Sequence, residues 1–157
     1  MKSYYSCIDN GFVRFAPQPL QHLAIADKAK KLDGRVVFYT AEDPQSLETH
    51  GVIRSKLKEQ EKNVDGVIFF TVRQFFYGGF KYKILKSIRD QLKEVHFARE
   101  NISVFSQDDL DALFPLLYAN QYVLQRDGDG QFCNMVYEHI VSNKKTSGKE
   151  RVLVGQI

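Results

Sequence analysis

The stretch that decides the fold of this chain is Gly66-Val67-Ile68-Phe69-Phe70-Thr71-Val72, an uncharged run that ends at Arg73-Gln74. Its seven residues are too few to cross a membrane and match one strand that is buried on both faces. Strands of this kind belong to mostly parallel sheets that helices cover on both sides. Ligands of open parallel sheets bind beyond the carboxyl ends of the strands, so we expect a functional site at Arg73 and Gln74.

Strand-like and helix-like segments alternate on both sides of this run. β-branched and aromatic residues predict further strands at residues 3–8, 35–40 and 94–98. Amphipathic patterns and capping residues predict helices at about 17–32, 47–62 and 80–93, and another that Asp108 and Asp109 can cap. The alternation indicates right-handed βαβ units, and therefore an α/β three-layer sandwich around a mostly parallel sheet of about four to five strands.

The length and composition indicate one domain. The chain has 157 residues and a formal net charge of +3. We predict a single α/β domain over residues 1–141, ending in a helix over 132–141, and a polar, mobile tail over residues 142–157. So small a net charge argues against nucleic acid as a partner, since nucleic-acid domains concentrate basic residues on one face.

Cysteine content and hydropathy bear on the compartment. Cys7 and Cys133 are too few for a disulfide framework, and we predict that both are packing residues. No segment of the sequence has the length and apolar character of a membrane span, and none resembles a secretion signal. We therefore expect a cytoplasmic protein without a membrane partner.

Polar side chains follow the four predicted strands at their carboxyl ends, which meet at one edge of a parallel sheet. Carboxylates there can act as general acid or base, and a guanidinium can hold a carboxylate or a phosphate. The predicted catalytic residues are Asp9, Glu42 and Glu100. The predicted ligand-binding residues are Asn10, Arg14, Gln21, Asp43, Arg73, Gln74 and Asn101. The alternative is that these are ordinary solvated loop residues.

Other chemistry-bearing residues form no recognisable site in the sequence. The histidines lack metal-ligand spacing and no phosphate-binding glycine loop follows a strand, so we predict no metal and no cofactor. Phe75, Phe76 and Tyr77 are consecutive aromatic residues after a strand. Since they cannot all point inward, we interpret them as a ligand platform or as a contact between subunits of a homo-oligomer.

The stretch from Asn10-Gly11-Phe12 to Pro17-Gln18-Pro19-Leu20-Gln21-His22-Leu23 resembles the opening of the sporadic carbohydrate cluster family. Members of that family are short bacterial proteins found among surface-polysaccharide biosynthesis genes, with a Gly-aromatic segment and a Pro-x-Pro-x-Gln-Asn-Leu-like helix start. The strand at Asp65–Phe70 and the overall length are also similar, whereas His22 replaces the asparagine of the family pattern. The resemblance covers residues 3–105 and implies a role in carbohydrate biosynthesis without implying a mechanism.

The layout of the chain is also similar to the catalytic domain of serine recombinases, most closely over residues 65–105. The active residues differ. Val72–Tyr77 replaces the Leu-Asp-Arg-x-x-Arg of that family, and Ala16 stands where its nucleophilic serine would be. The resemblance therefore implies a resolvase-like fold without DNA strand exchange, and a flavodoxin-like sandwich is the alternative.

Three functions follow as hypotheses. The first is a protein of bacterial carbohydrate biosynthesis, for surface polysaccharide or sugar nucleotides, that binds or converts a sugar-type small molecule at the strand ends. The second is a non-catalytic partner or scaffold of a glycan-biosynthesis protein. The third is a degenerate recombinase-like domain that still binds DNA, against which the small net charge argues. The sequence leaves open whether any reaction is catalysed.

Overall fold

Strands and helices alternate in the computed structural model of this chain, which describes residues 1–43, 50–60, 64–77 and 79–119. The strands within these residues are β1 Lys2–Asp9, β2 Gly34–Glu42, β3 Gly66–Phe69, β4 Glu94–Phe97 and β5 Ile102–Val104. The helices are α1 Gln18–Lys31, α2 Gly51–Gln60, α3 Tyr82–Gln91 and α4 Gln107–Ala119. Short 3-10 turns occupy Asn10–Phe12 and Val72–Phe75.

The described strands form a five-stranded sheet in the order β2-β1-β3-β4-β5. β1 pairs in parallel with both β2 and β3, and β3 pairs in parallel with β4. β5 runs antiparallel to β4, with Phe97 opposite Ile102. The predicted α/β fold with a mostly parallel sheet is therefore confirmed, while the resolvase-like and flavodoxin-like labels stay predictions.

Helices cover both faces of the sheet. On one face, Ile25 and Ala29 of α1 belong to the same buried cluster as Tyr4 of β1 and Ile68 of β3. On the opposite face, the hydroxyl of Tyr5 donates a hydrogen bond of 3.2 Å to a backbone carbonyl of α2. Successive side chains of a strand point to opposite faces, so two consecutive tyrosines of β1 contribute to two different layers.

β3 ends at Phe69 rather than at Val72, where the apolar run ends. The hydroxyl of Thr71 accepts a hydrogen bond from the Arg73 amide, and the Gln74 side chain accepts one from the Thr71 amide. This reciprocal capping box starts a 3-10 turn where the run of apolar residues predicts continued strand.

Phe75 and Phe76 are both buried, which corrects the interpretation of the aromatic run as an exposed platform. The ring of Phe75 stacks on His50 at 4.0 Å, and the ring of Phe76 stacks on Phe80 at 4.9 Å. Tyr77 is partly exposed. Consecutive residues at a 3-10 turn point in directions about 120° apart, so adjacent rings can enter separate apolar environments.

β5 is a strand that the sequence analysis does not predict. The chain reverses after Phe97, and Asn101 adopts a φ of 55°, a left-handed conformation that asparagine tolerates better than most residues. The strand is only three residues long, Ile102–Val104. So short a segment carries too few residues for a periodic pattern to be recognised.

The chain divides into two compact units, Met1–Leu113 and Phe114–Ile157. The first contains all strands of the described sheet. Cys133, the predicted helix over 132–141 and the predicted tail over 142–157 lie outside the described residues, so the proposed domain boundary stays a prediction. Among the helices that the structure describes, none is both long enough and apolar enough to span a bilayer.

Candidate functional site

The carboxyl ends of β1 to β4 lie at one edge of the sheet. β1 lies between β2 and β3, so the chain extends the sheet first on one side of β1 and then on the other. Open α/β sheets bind ligands at such a point, in the crevice between the diverging connections. The turns that border it are Asn10–Phe12 after β1 and Val72–Phe75 after β3. We call these two turns, together with the residues beside them at the strand ends, the switch-point edge. Those residues are Asp9, Glu42, Asp43, Tyr77, Arg99, Glu100 and Asn101.

Two arginines converge on one phenylalanine at the switch-point edge. The guanidinium carbon of Arg73 lies 5.0 Å from the centre of the Phe12 ring, and that of Arg99 lies 4.7 Å from the same centre. Arg73 also lies 5.6 Å from the ring of Tyr77. Phe12 is buried, whereas both arginines are partly exposed. Two delocalised cations are therefore held beside solvent by the electron-rich faces of aromatic rings.

Asp9, a predicted catalytic residue, is fully buried and holds the turns of this edge together. Its Oδ1 accepts a hydrogen bond of 2.8 Å from the Gly11 amide and so caps the first 3-10 turn. Its Oδ2 accepts one of 3.0 Å from the Tyr77 hydroxyl. Both carboxylate oxygens are engaged within the protein, and the second bond connects the segment after β1 to the segment after β3.

Gln21 of α1 is buried and clamps the chain that leads into this helix. Its Oε1 accepts a hydrogen bond of 2.9 Å from the Asp9 amide. Its Nε2 donates to the carbonyl of Asp9 at 2.9 Å and to the carbonyl of Ala16 at 2.8 Å. The side-chain amide thus satisfies buried backbone groups at the two ends of the loop between β1 and α1.

Glu42, the second predicted catalytic residue, lies at the end of β2 and caps α2. Its Oε1 accepts a hydrogen bond of 3.1 Å from the Val52 amide, and its Oε2 accepts one of 3.4 Å from the Ile53 amide. Amides of the first helical turn have no partner inside the helix, and the helix dipole favours a negative charge there. The buried carboxylate therefore fixes the start of α2.

Glu100, the third predicted catalytic residue, connects the turn after β4 to the turn after β3. Its Oε2 accepts a hydrogen bond of 2.6 Å from the Thr71 hydroxyl, and its Oε1 accepts one of 2.9 Å from the Val72 amide. Burial raises the pKa of this carboxyl, and the hydrogen bonds from Thr71 and Val72 oppose that rise. Nη1 of Arg99 lies 4.0 Å from Oε2 of Glu100, which is the limit of ion-pair distance.

The side chain of Gln74 is buried against β1 and does not face solvent. Its Oε1 accepts a hydrogen bond of 3.0 Å from the Thr71 amide. Its Nε2 donates to the carbonyl of Cys7 at 3.4 Å. The residue therefore ties the turn after β3 to β1, and it does not present its amide to a ligand at the surface.

The remaining predicted residues lie closer to the surface. Asn10 donates to Asp43 at 3.0 Å, which bridges the ends of β1 and β2. Asn101 accepts a hydrogen bond of 2.9 Å from the largely buried Lys28 of α1. Arg14 is exposed, and its guanidinium carbon lies 5.9 Å from the Phe15 ring. The structure therefore brings the polar strand ends to one edge, as predicted, but gives them different degrees of access.

The sequence analysis missed four residues that shape this edge: Phe12, Lys28, Tyr77 and Arg99. Arg99 could have been found, because it precedes Glu100 in the turn after a predicted strand. Tyr77 was considered only as part of the aromatic run. Lys28 lies in the predicted helix over 17–32 next to other lysines, and nothing in its local sequence indicates a long-range bond to Asn101. Phe12 carries the Gly-aromatic resemblance, without any sign that arginines would surround it.

One concave surface that the described residues form lies outside the switch-point edge. An open depression of about 280 Å³ is lined by Gly51, Arg54, Ser55 and Lys58 of α2, and none of the predicted site residues lines it. Within residues 1–43, 50–60, 64–77 and 79–119, no group of three or more His, Cys, Asp or Glu side chains could hold a metal ion. The switch-point edge is characterised by the guanidinium groups of Arg73 and Arg99.

Comparison with known proteins assigns no family to this chain. No protein-family model, no curated protein and no solved structure matches it. The similarities to the sporadic carbohydrate cluster family and to serine recombinases therefore stay predictions from the sequence.

Proposed function

We propose that this protein binds an anionic sugar-type ligand, a sugar phosphate or a nucleotide sugar, at the switch-point edge, and acts in bacterial carbohydrate biosynthesis. The observation that carries the proposal is the convergence of Arg73 and Arg99 on the Phe12 ring. It occurs where open α/β sheets bind ligands.

A pair of arginine side chains binds a phosphate group better than most other pairs of side chains do. Each guanidinium is planar, always charged, and presents a fork of N–H donors that matches two oxygens of a phosphate or carboxylate. Contact with Phe12 limits the rotamers of both side chains, so less side-chain entropy is lost when a ligand binds. Arg73 and Arg99 are both partly exposed to solvent, and the Nη1 atom of Arg99 is buried.

The three predicted catalytic carboxylates favour binding over conversion of the ligand. Asp9, Glu42 and Glu100 are all buried, and each accepts hydrogen bonds from the protein through both oxygens. A general acid or base must reach the proton that it transfers. Carboxylates that brace turns and a helix end support a binding site whose shape is fixed, and these three do not form an acid–base pair directed at the ligand.

The carbohydrate part of the proposal rests on two features. The first is the resemblance of the segment from Asn10 to Leu23 to the sporadic carbohydrate cluster family. The second is the set of polar side chains at the rim of the same edge. Asn10, Asp43 and Asn101 carry amide and carboxylate groups of the kind that hydrogen-bond sugar hydroxyls.

Isothermal titration calorimetry with glucose 1-phosphate, UDP-glucose and uncharged glucose tests the proposal. We expect heat of binding with the charged ligands and little with glucose, because the guanidinium groups supply most of the attraction. Arg73→Ala should weaken that binding. Arg35→Ala is the matched control, since Arg35 is an exposed arginine near the start of β2, at the opposite edge of the sheet. Equal weakening by both variants, or no binding by the wild type, would rule the proposal out.

A partner or scaffold role is the second candidate, and one specific observation favours it. Large apolar side chains are exposed around α1 and the adjacent edge strand β2: Phe15 at 68%, Leu20 at 51%, Leu23 at 67% and Tyr39 at 65%. Clusters of exposed apolar residues are typical of protein–protein contacts. Buried Phe75 and Phe76 do not contribute to this surface.

Sedimentation of the purified chain separates these candidates. Under the partner role, Leu23→Lys should change the mass or the partner binding of the protein, while sugar-phosphate binding stays intact. Under the ligand-binding role, Arg73→Ala should weaken sugar-phosphate binding and leave the mass of the protein unchanged.

A fluorescence titration with duplex DNA at low salt tests the recombinase-like alternative. A binding signal from DNA would fall steeply as salt is added.

A further inference from the structure

A second cluster of polar side chains lies within the β4–β5 pair, apart from the turns of the switch-point edge. His96 of β4 and Ser103 of β5 are directly opposite each other in the antiparallel register. The Oγ atom of Ser103 lies 2.9 Å from Nδ1 of His96. Nε2 of His96 lies 2.9 Å from Oε1 of Glu94. Serine, imidazole and carboxylate are therefore connected in series by two hydrogen bonds.

The charge on Glu94 determines which atoms donate and which accept in these two hydrogen bonds. Lys2 forms an ion pair of 2.7 Å with Oε2 of Glu94, and the Tyr4 hydroxyl donates to Oε1 at 2.7 Å. Burial of Glu94 acts to raise the pKa of its carboxyl, but the bonds from Lys2, Tyr4 and His96 outweigh it and the pKa is lowered. An ionised carboxylate can only accept, so Nε2 of His96 must carry the hydrogen.

The tautomer of His96 leaves Nδ1 without a hydrogen. Burial lowers the pKa of His96, against the opposing effect of Glu94, so the ring is neutral near pH 7. Nδ1 then accepts the hydroxyl hydrogen of Ser103, which is the arrangement that activates a serine nucleophile. The ring is held edge-on by Tyr4 at 5.5 Å and by Phe105 at 5.2 Å.

The three residues differ in their exposure to solvent, as an activated serine requires. His96 is fully buried and Glu94 is almost so, whereas Ser103 is partly exposed. The base and the group that orients it are thus shielded from water, while Ser103 is in partial contact with solvent. Ser103 lies in β5, so its position is fixed by pairing with β4.

We propose that Ser103 is a nucleophile that accepts acyl groups from small carboxylic esters, with His96 as its general base and Glu94 as the residue that positions His96. Ser103 Oγ attacks the ester carbonyl carbon while its proton moves to His96 Nδ1. The bond from that carbon to the alcohol oxygen breaks, and His96 returns the proton to the departing alkoxide. Water then attacks the acyl-serine, again through His96, and releases the acid and free Ser103.

Phosphonylation of the full-length protein by a fluorophosphonate probe tests this site without any knowledge of the natural ester. The probe forms a P–O bond to an activated serine and loses fluoride. We expect one adduct by intact mass, and peptide mapping should locate it at Ser103. Ser103→Ala should abolish the adduct. Ser106→Ala, at a partly exposed serine nearby in the chain, is the matched control and should label like the wild type.

The roles of the other two residues have separate readouts. His96→Gln should slow labelling about a hundredfold, the usual contribution of a general base. The ¹⁵N chemical shifts of His96 in the wild type should show the hydrogen on Nε2, and Glu94→Gln should shift that tautomer population. Labelling at another serine, no labelling of the wild type, or a hydrogen on Nδ1 would each overturn the proposal. None of these results depends on sugar-phosphate binding.

Discussion

The carboxylate of Glu100 and the hydroxyl of Thr71 form a hydrogen bond of 2.6 Å that connects the turn after β4 to the turn after β3. The same carboxylate accepts the Val72 amide at 2.9 Å. Since all three groups are buried, neither donor can turn to water if the carboxylate is removed.

Glu100→Ala should therefore lower the free energy of unfolding by about 3 kcal/mol, because it leaves two buried donors without an acceptor. Glu100→Gln keeps the volume and one acceptor oxygen, and should cost about 1 kcal/mol. Urea unfolding monitored by circular dichroism measures both. Asp90→Ala, at an exposed acid of α3, is the control and should change stability by less than about 0.5 kcal/mol. Similar losses for Glu100→Ala and Asp90→Ala would contradict the bracing role.

Gln21 permits a comparison of two glutamines on one helix. Gln21→Leu removes three hydrogen bonds to the buried backbone of Asp9 and Ala16, and should lower the free energy of unfolding by about 3 kcal/mol. Gln18→Leu removes an exposed bond to Asn10 and should cost less than about 0.5 kcal/mol. Thermal denaturation of the two variants under the same conditions measures the difference. If the two changes prove equally costly, the clamp contributes no stability.

His50 makes the stability depend on pH. The ring is buried against Phe75, and its Nε2 donates to the Gln74 carbonyl at 2.8 Å. Burial lowers the pKa of His50 to about 4, although the bond to Gln74 acts in the opposite direction. In the unfolded chain the pKa is near the ordinary value of 6.5. Between these values the unfolded state binds a proton that the folded state does not, so stability falls as pH falls.

The expected loss from His50 is about 3 kcal/mol between pH 7 and pH 4, and the contribution is complete above pH ~6.5. His50→Gln keeps a donor for Gln74 but cannot titrate, so its unfolding free energy should depend less on pH. Urea unfolding of both proteins at pH 7 and pH 5 measures this. Parallel pH profiles for wild type and variant would show that another group, such as Glu94 with its lowered pKa, controls the dependence.

Arg73→Lys tests whether the planar shape of the guanidinium matters in the proposed ligand site. Lysine keeps the charge but loses the paired donors and the stacked contact with Phe12. We expect glucose 1-phosphate to bind about tenfold more weakly, against a larger loss for Arg73→Ala. Calorimetry at low salt measures both, with Arg35→Lys as the control. Unchanged affinity of Arg73→Lys would mean that charge alone holds the ligand.

Much of the fold could be predicted because its cause lies in local patterns. Strand β3, which begins the apolar run Gly66–Val72, and helix α1, which the sequence predicts over 17–32, both follow from residue types and short-range periodicity. Two features could not be predicted in this way. The capping box of Thr71 and Gln74 ends β3 within an apolar run, and β5 is too short to carry a pattern. In the first case a few hydrogen bonds outweigh the strand tendency of the neighbouring residues.

The convergence of the polar strand ends could be predicted from the sequence, but the partners of these residues could not. Parallel strands send their carboxyl ends to one edge, so Asp9 and Arg73 could be placed together from the sequence. Which partner each polar group takes is decided by packing across long stretches of chain. Glu42 binds amides of α2, and the importance of Arg99 comes from Phe12, which lies far from it in sequence. Single-sequence patterns do not contain such pairings.

The buried side chains that brace the switch-point edge have a consequence for how fast and how tightly a ligand can bind. Asp9, Gln21, Gln74 and Glu100 hold the surrounding turns with bonds that exist before any ligand arrives. A preorganised surface loses little conformational entropy on association and needs no closing motion. The free and bound forms of this edge should therefore superimpose, and the association rate should be set by diffusional encounter and charge attraction, not by rearrangement of the loops.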